Sequence, residues 1–142
     1  MSAAVYFSPL VCQISRYLVA KSSKTSRRWG HFSLRRLLPP RLLARFYRQR
    51  GASLVVVKLG KEGAYFDGMA GTGFVEGFPV EKVIDTVGAG DGFAVGVISS
   101  LLDGLSVPEA VKRGAWIGAR AVQVLGDSEG LPTRAELNAA GL

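Results

Sequence analysis

The sequence predicts an α/β protein of layered architecture, and three observations carry that prediction. The stretch "SLVVVKLG" (residues 53–60) is a short β-branched run closed by glycine, the mark of a buried strand. Two stretches, "SVPE" (106–109) and "TRAE" (133–136), have the Ser/Thr-x-x-Glu form of a capping box, which starts a helix. The order is also informative, because short strands come first and helices separated by glycine come after them. A chain of 142 residues accommodates one compact domain and not comfortably two.

The first third reads differently from the rest. Residues 1–50 hold eleven Arg and Lys and no Asp or Glu, a charge of +11, while residues 51–142 carry −4. The basic character of the whole chain, net charge +7, therefore belongs to this segment. It mixes Arg, Ser, Leu and paired prolines without a clean period, so an irregular basic segment is expected over 1–45. The one element expected there is a weak amphipathic helix at Pro40–Tyr47.

Order begins near Gly51. After the Ser53–Gly60 strand, "GAYF" (63–66) is read as its hairpin partner. "DGMAGTGFVEGFPV" (67–80) reads as short strands joined by tight turns. Gly71-x-Gly73 within it imitates a dinucleotide fingerprint, but no strand, glycine turn and helix surround it in that order, so it is a turn. Val83-Ile84 is taken as a strand leading into "DTVGAGDGF" (85–93). Phe93, Val97 and Leu101, with Ile98 and Leu102, recur at helical spacing, and Gly104 is a natural stop. A second helix is expected from about Val107 to about Leu125, and a short one after Thr133. No apolar run reaches the roughly 18 residues of a membrane-spanning helix. The single Cys12 and single His31 exclude an internal disulfide and argue against a Cys/His metal site. Neither receives a functional role, and a cytoplasmic setting is expected.

"DTVGAGD" places an acid directly behind a glycine turn at a helix start. The first backbone N–H groups of a helix lack internal partners, and the helix dipole adds partial positive charge there. Glycines let the backbone approach a phosphate closely. Gly88-Ala89-Gly90 is thus a candidate anion hole. Asp91, in the first turn, is a candidate base for a hydroxyl attacking phosphorus, since phosphoryl transfer asks a protein for positioning, charge stabilisation and such a base.

This motif resembles the D-T-x-G-A-G-D signature of the ribokinase-like (PfkB) carbohydrate kinases. The resemblance implies the C-terminal portion of a three-layer α/β/α fold over residues 46–142. It implies an anion hole at Gly88, Ala89 and Gly90, with Asp91 as general base. "VVVKLGKEGAYF" (55–66) resembles the family's nucleotide-binding segment, so Lys58, Gly60 and Gly63, with Asp85 and Thr86, are implied to bind ATP. Magnesium is implied as its partner, and a monovalent cation, K+, near Asp85, Val87 and the 126–130 loop. "VKRGAWIGARAVQVLGDSEGLPTRAEL" resembles the adenine-side helix and closing loop, although Ala115 stands near a position that is often asparagine. Within the family the chain looks most like 2-keto-3-deoxygluconate kinases. The implied function is ATP-dependent phosphorylation of a hydroxyl on a small sugar or sugar acid.

The upstream G-G and N-x-x-E motifs of the family do not occur. We therefore expect an incomplete, marginally stable kinase domain with little or no turnover, its first forty or so residues out of frame or rearranged. Two other readings of the basic segment stay open. It could be an arm for nucleic acid or an anionic surface, with Trp29, Phe32, Phe46 and Tyr47 for stacking, though it holds no known nucleic-acid motif. Alternatively, its Arg- and Ser-rich, acid-free composition suits a targeting segment. The identity of the sugar and the oligomeric state are not legible.

Overall fold

A computed structural model of the chain describes residues 17–21, 39–126 and 128–142. Trp29, Phe32, Cys12 and His31 lie outside the described residues, as does most of the segment read as a targeting sequence. Strand β1 is Tyr17–Lys21, helix α1 Pro40–Arg48, and strand β2 Leu54–Lys58. A 3-10 turn at Gly60–Glu62 leads to β3 (Gly63–Gly68), and then to β4 (Gly71–Glu76). Three helices complete the chain: α2 (Ala89–Leu102), α3 (Val107–Ala121) and α4 (Arg134–Ala139). The chain divides into two compact units. The first ends at Gly60 and includes Ala64–Phe74; the second comprises Lys61–Gly63 and Val75–Leu142.

The first unit is built on a sheet of order β1-β2-β3-β4. Leu54, Val55, Val56 and Val57 are all buried, as a central strand with both faces covered requires. β1 runs parallel to β2, with Tyr17 opposite Leu54 and Lys21 opposite Lys58. β3 runs antiparallel to β2, as the hairpin reading of 63–66 anticipates, with Val56 opposite Phe66. Helix α1 lays Leu43 and Ala44 on Val55 and Val57, and Tyr47 and Tyr65 pack around them. Arg48 donates from Nε to Asp67 Oδ1 at 3.2 Å, tying α1 to β3. The ring of Phe66 fills the space that a side chain at Gly73 would need.

The second unit centres on the pair α2 and α3. Both helices present small residues where they meet. A Cβ on Gly96 would stand 2.8 Å from Gly114 Cα, and one on Gly114 would stand 2.8 Å from the Phe93 carbonyl oxygen. Phe93 and Val97 from α2, and Val111 and Ile117 from α3, are buried around this approach. Gly104 ends α2 with φ +80°, so the expected stop is where the sequence puts it. Both capping boxes form: Ser106 with Glu109, and Thr133 with Glu136. Asp103, the C-cap of α2, accepts from Arg113 Nη1 at 2.7 Å and from Arg134 Nη1 at 2.6 Å, joining all three helices.

Three expectations need correction. Tyr17–Lys21, inside the segment read as irregular, forms a strand; its five residues are too few for a period to stand out among the surrounding Arg and Ser. Val83-Ile84 is not a strand. Its backbone is held instead by single bonds from Ile84 N–H and Asp85 N–H to the Val122 carbonyl, at 2.8 and 3.3 Å. That same carbonyl explains the third difference. Helix α3 closes at Ala121 rather than near Leu125, and its C-cap Val122 turns its oxygen to the 84–85 segment.

Candidate active site

The "DTVGAGD" residues fold into one continuous turn at the start of α2. Gly88 is the N-cap, with φ 74° and ψ −25°, a left-handed conformation that side chains with a Cβ resist. Gly92 N–H donates to the Gly88 carbonyl at 2.8 Å and closes the first helical turn. Gly88 has no side chain with which to cap this end, whereas α3 and α4 both carry capping boxes. Asp91 lies in the first turn and is exposed. The anion-hole candidates Gly88, Ala89 and Gly90 and the candidate base Asp91 therefore share one helix terminus.

The loop that feeds this terminus is organised by Asp85. Val87 N–H donates to Asp85 Oδ1 at 3.0 Å, and Gly126 N–H faces Oδ2 at 3.5 Å. The Val87 amide, chiefly, holds the Asp85 carboxyl below the usual carboxylate range; burial opposes it, and the Gly126 and Thr86 amides assist. Thr86 is exposed beside it. On the far side of the motif, a Cβ on Gly118 of α3 would stand 3.3 Å from the Ala89 carbonyl oxygen. The turn thus runs along the C-terminal half of α3, from Val122 to Gly118. Sequence reasoning missed Gly114 and Gly118 as supports of the site. The four-residue spacings Gly92–Gly96 and Gly114–Gly118 were the available signal for a close helix crossing.

The residues of the nucleotide segment are divided between the two units. Lys58 is the last residue of β2 and half-buried, and Gly60 comes after it in an exposed turn with φ +65°. Both belong to the first unit, while Gly63 and the motif belong to the second. A Cβ on Gly63, where φ is +115°, would land on the Val75 carbonyl oxygen, so glycine is required there by the β3–β4 packing alone. Among the described residues, no three His, Cys, Asp or Glu side chains converge as a metal site. Just past the end of α1, Arg50 lies over the ring of Phe46 from that helix at 3.4 Å, so that ring face is already covered by a cation. No described helix is long and apolar enough to cross a membrane.

The fold is ribokinase-like. Ribokinase from Thermotoga maritima superposes with a TM-score of 0.72 at 27% identity, over 89% of this chain and 42% of that one. A putative ribokinase II from Escherichia coli, solved in complex with ATP and Mg2+, gives 0.70 at 25% identity, over 91% of this chain and 40% of that one. The sequence pattern described as pfkB family carbohydrate kinase matches residues 39–134, and the chain belongs to that family. The PfkB protein from Polaromonas sp. JS666 is 74% identical, with a TM-score of 0.60 over 71% of this chain and 30% of that one. The 2-dehydro-3-deoxygluconokinase of Bacillus subtilis is 60% identical over 98 residues, 69% of this chain and 30% of that enzyme. The chain thus spans about three tenths of the length of the curated relatives it matches.

Proposed function

We propose that the chain carries the phosphoryl-transfer part of an ATP-dependent kinase acting on a sugar or sugar acid, a 2-keto-3-deoxy aldonic acid in the first instance. The observation that carries this reading is the start of α2: a helix terminus entered through left-handed Gly88, with an exposed carboxylate in its first turn. The backbone of Gly88, Ala89 and Gly90 would face the transferring phosphoryl oxygens, where helix-end donors stabilise negative charge. Asp91 would take the proton from the acceptor hydroxyl as its oxygen attacks phosphorus. Lys58, Gly60 and Gly63 would lie along the nucleotide, and Asp85 and Thr86 would serve it through the loop they build. When bound, ATP with Mg2+ supplies the phosphoryl group, and the bond to ADP breaks as the bond to the acceptor oxygen forms.

The residues present fit the nucleotide better than they fit the metal. Their contribution at the motif is backbone and the two carboxylates of Asp85 and Asp91, and among the described residues no three such side chains converge, so magnesium would be held mainly through the phosphates. A potassium ion would draw on carbonyl oxygens of the 126–130 loop, which a dependence of rate on K+ would test. The similarity to 2-dehydro-3-deoxygluconokinase supports the choice of acceptor. The setting proposed is cytoplasmic. The 142 residues alone are expected to turn over little, because the family's G-G and N-x-x-E motifs do not occur in them. The basic face of α1 is not adopted as a nucleic-acid site, since Arg50 occupies the ring face a base would use.

The test is a chimera. The matching stretch of the Bacillus subtilis relative is replaced by the 98 aligned residues of this chain, and phosphorylation of 2-dehydro-3-deoxygluconate is monitored. The chimera is expected to be active, and Asp91→Asn to lower kcat by about 10²- to 10⁴-fold, the usual weight of a general base. An Asp91→Asn chimera within a few-fold of its parent would remove Asp91 from the chemistry.

A further inference from the structure

We infer that the cleft between α2, α3 and α4 is a binding site for a small monocarboxylate with an apolar body, held by Arg134. The inference goes beyond the kinase reading and does not depend on it. The cleft measures about 210 Å³ and lies within the second unit. Val95 and Ser99 of α2, Ile117 of α3, Leu137 of α4 and Leu131 of the loop before α4 form its walls. Leu131 is fixed against α2, where its Cδ2 would stand 2.9 Å from a Cβ on Gly92. Val95 and Arg134 are exposed, so the cleft is open to solvent at both. A cavity of about 150 Å³ is enough to hold benzene, so an acid of about five carbons has room here. Asp103, which holds Arg134, comes twelve residues after Asp91 in the sequence. That is about 18 Å along α2, so the charged end of the cleft is remote from the candidate phosphoryl site.

Charge decides what kind of molecule fits. Arg134 is the only charged side chain in the lining. Asp103 takes its Nη1 at 2.6 Å and its Nη2 at 3.3 Å. Among the described residues nothing accepts from Nε, so the side of the fork between Nε and Nη2 is open to a second carboxylate. Asp103 also serves Arg113, whose Nη1 reaches it at 2.7 Å and whose Nε is buried without a partner. Two guanidinium groups thus share one carboxylate, and one positive charge is left over. The remaining polar group of the lining, the Ser99 hydroxyl, spends its hydrogen on the Gly96 carbonyl at 3.1 Å. It has none to donate to an anion. One guanidinium edge satisfies the two oxygens of a carboxylate, whereas a phosphate would leave oxygens facing Val95, Ile117 and Leu137 without donors. The apolar walls then take the hydrocarbon end.

The experiment is a titration of the 142-residue chain with 3-methylbutanoate, followed by NMR at the methyl groups of Val95, Leu131 and Leu137. Acetate supplies the carboxylate without the body, and 3-methylbutanol the body without the charge. The acid is expected to bind with Kd on the order of 1 mM, the scale that so few atoms allow. Acetate and the alcohol are each expected to bind about tenfold or more weakly. Arg134→Gln should weaken the acid about tenfold or more, and Arg134→Lys, which keeps the charge but not the fork, should fall between. Thr133→Ala loosens α4 but leaves the guanidinium, so its Kd should stay within about threefold of the parent. No shift at these methyls up to about 50 mM acid overturns the inference. So does acetate or the alcohol binding as tightly as the acid. Equal weakening by Thr133→Ala and Arg134→Gln overturns it as well, because Arg134 would then act only by holding α4 in place.

Discussion

Substituting Gly114 by alanine should loosen the contact between α2 and α3 despite improving the helix. The added Cβ would stand 2.8 Å from the Phe93 carbonyl oxygen and 2.7 Å from Val97 Cγ2. Val97 can rotate, but the Phe93 oxygen is backbone and moves only with its helix. Restoring an ordinary separation asks the helices to part by roughly half an ångström, in a core that does not tolerate small gaps. Such overpacking costs about 1–3 kcal/mol. Against it stands the gain of about 1 kcal/mol for alanine over glycine in a helix interior. The net expectation is a loss of about 0–2 kcal/mol, read as faster amide exchange in both helices. The partner substitution sharpens the test. Gly96→Ala meets the same approach from the other side, with its Cβ 2.8 Å from Gly114 Cα. Once one methyl has parted the helices, the second finds room, so the double variant should lose at least about 0.5 kcal/mol less than the sum of the singles. Slower exchange in Gly114→Ala, by the fivefold or so that about 1 kcal/mol gives, would show that propensity wins and that the close approach does not constrain the pair.

Acid should weaken the three-helix junction at Asp103. The hydrogen bonds from Arg134 and then Arg113 pull its carboxyl down to about 2 from an ordinary 3.8. A carboxyl depressed on folding stabilises above its unfolded value and loses that contribution as pH falls from 3.8 toward about 2. Asp103→Asn should therefore melt below the parent at pH 6, and the gap should close by pH 2; a gap unchanged at pH 2 would refute the assignment. Removing a capping hydroxyl should cost about 1 kcal/mol, so Thr133→Ala should raise amide exchange in α4 about fivefold, with Thr133→Ser retaining most of the protection.

The legible parts of the molecule were those whose cause is local. A capping box spans only a few consecutive residues, and both Ser106–Glu109 and Thr133–Glu136 form as read. The buried strand declares itself because β2 is covered on both faces and so carries no polar alternation. The parallel pairing of β1 with β2 was illegible, since it joins residues 37 apart, such as Tyr17 and Leu54, and nothing at either end encodes the partner. The same holds for the end of α3. Residues 122–125 read "VQVL", a plausible continuation of the helix, and what stops it is the Val122 carbonyl being taken by Ile84 and Asp85.

The candidate site shows the same division, and it changes what each glycine is worth as evidence. Gly63 was read as a nucleotide contact, yet the Val75 carbonyl leaves room for nothing larger, so its identity would be the same in a protein that binds no nucleotide. Gly114 and Gly118 likewise answer to packing, the first against Phe93 and the second against Ala89. Gly88 answers to the left-handed entry of α2, a need that any helix with this entry would share. What remains without a structural need of its own is Asp91. It is exposed, it takes part in no capping box, and the terminus beside it is entered through a glycine rather than through a capping residue like Ser106 or Thr133. The chemical argument for the site therefore rests on one acid and the helix end it stands on. The glycines around them hold that end in place.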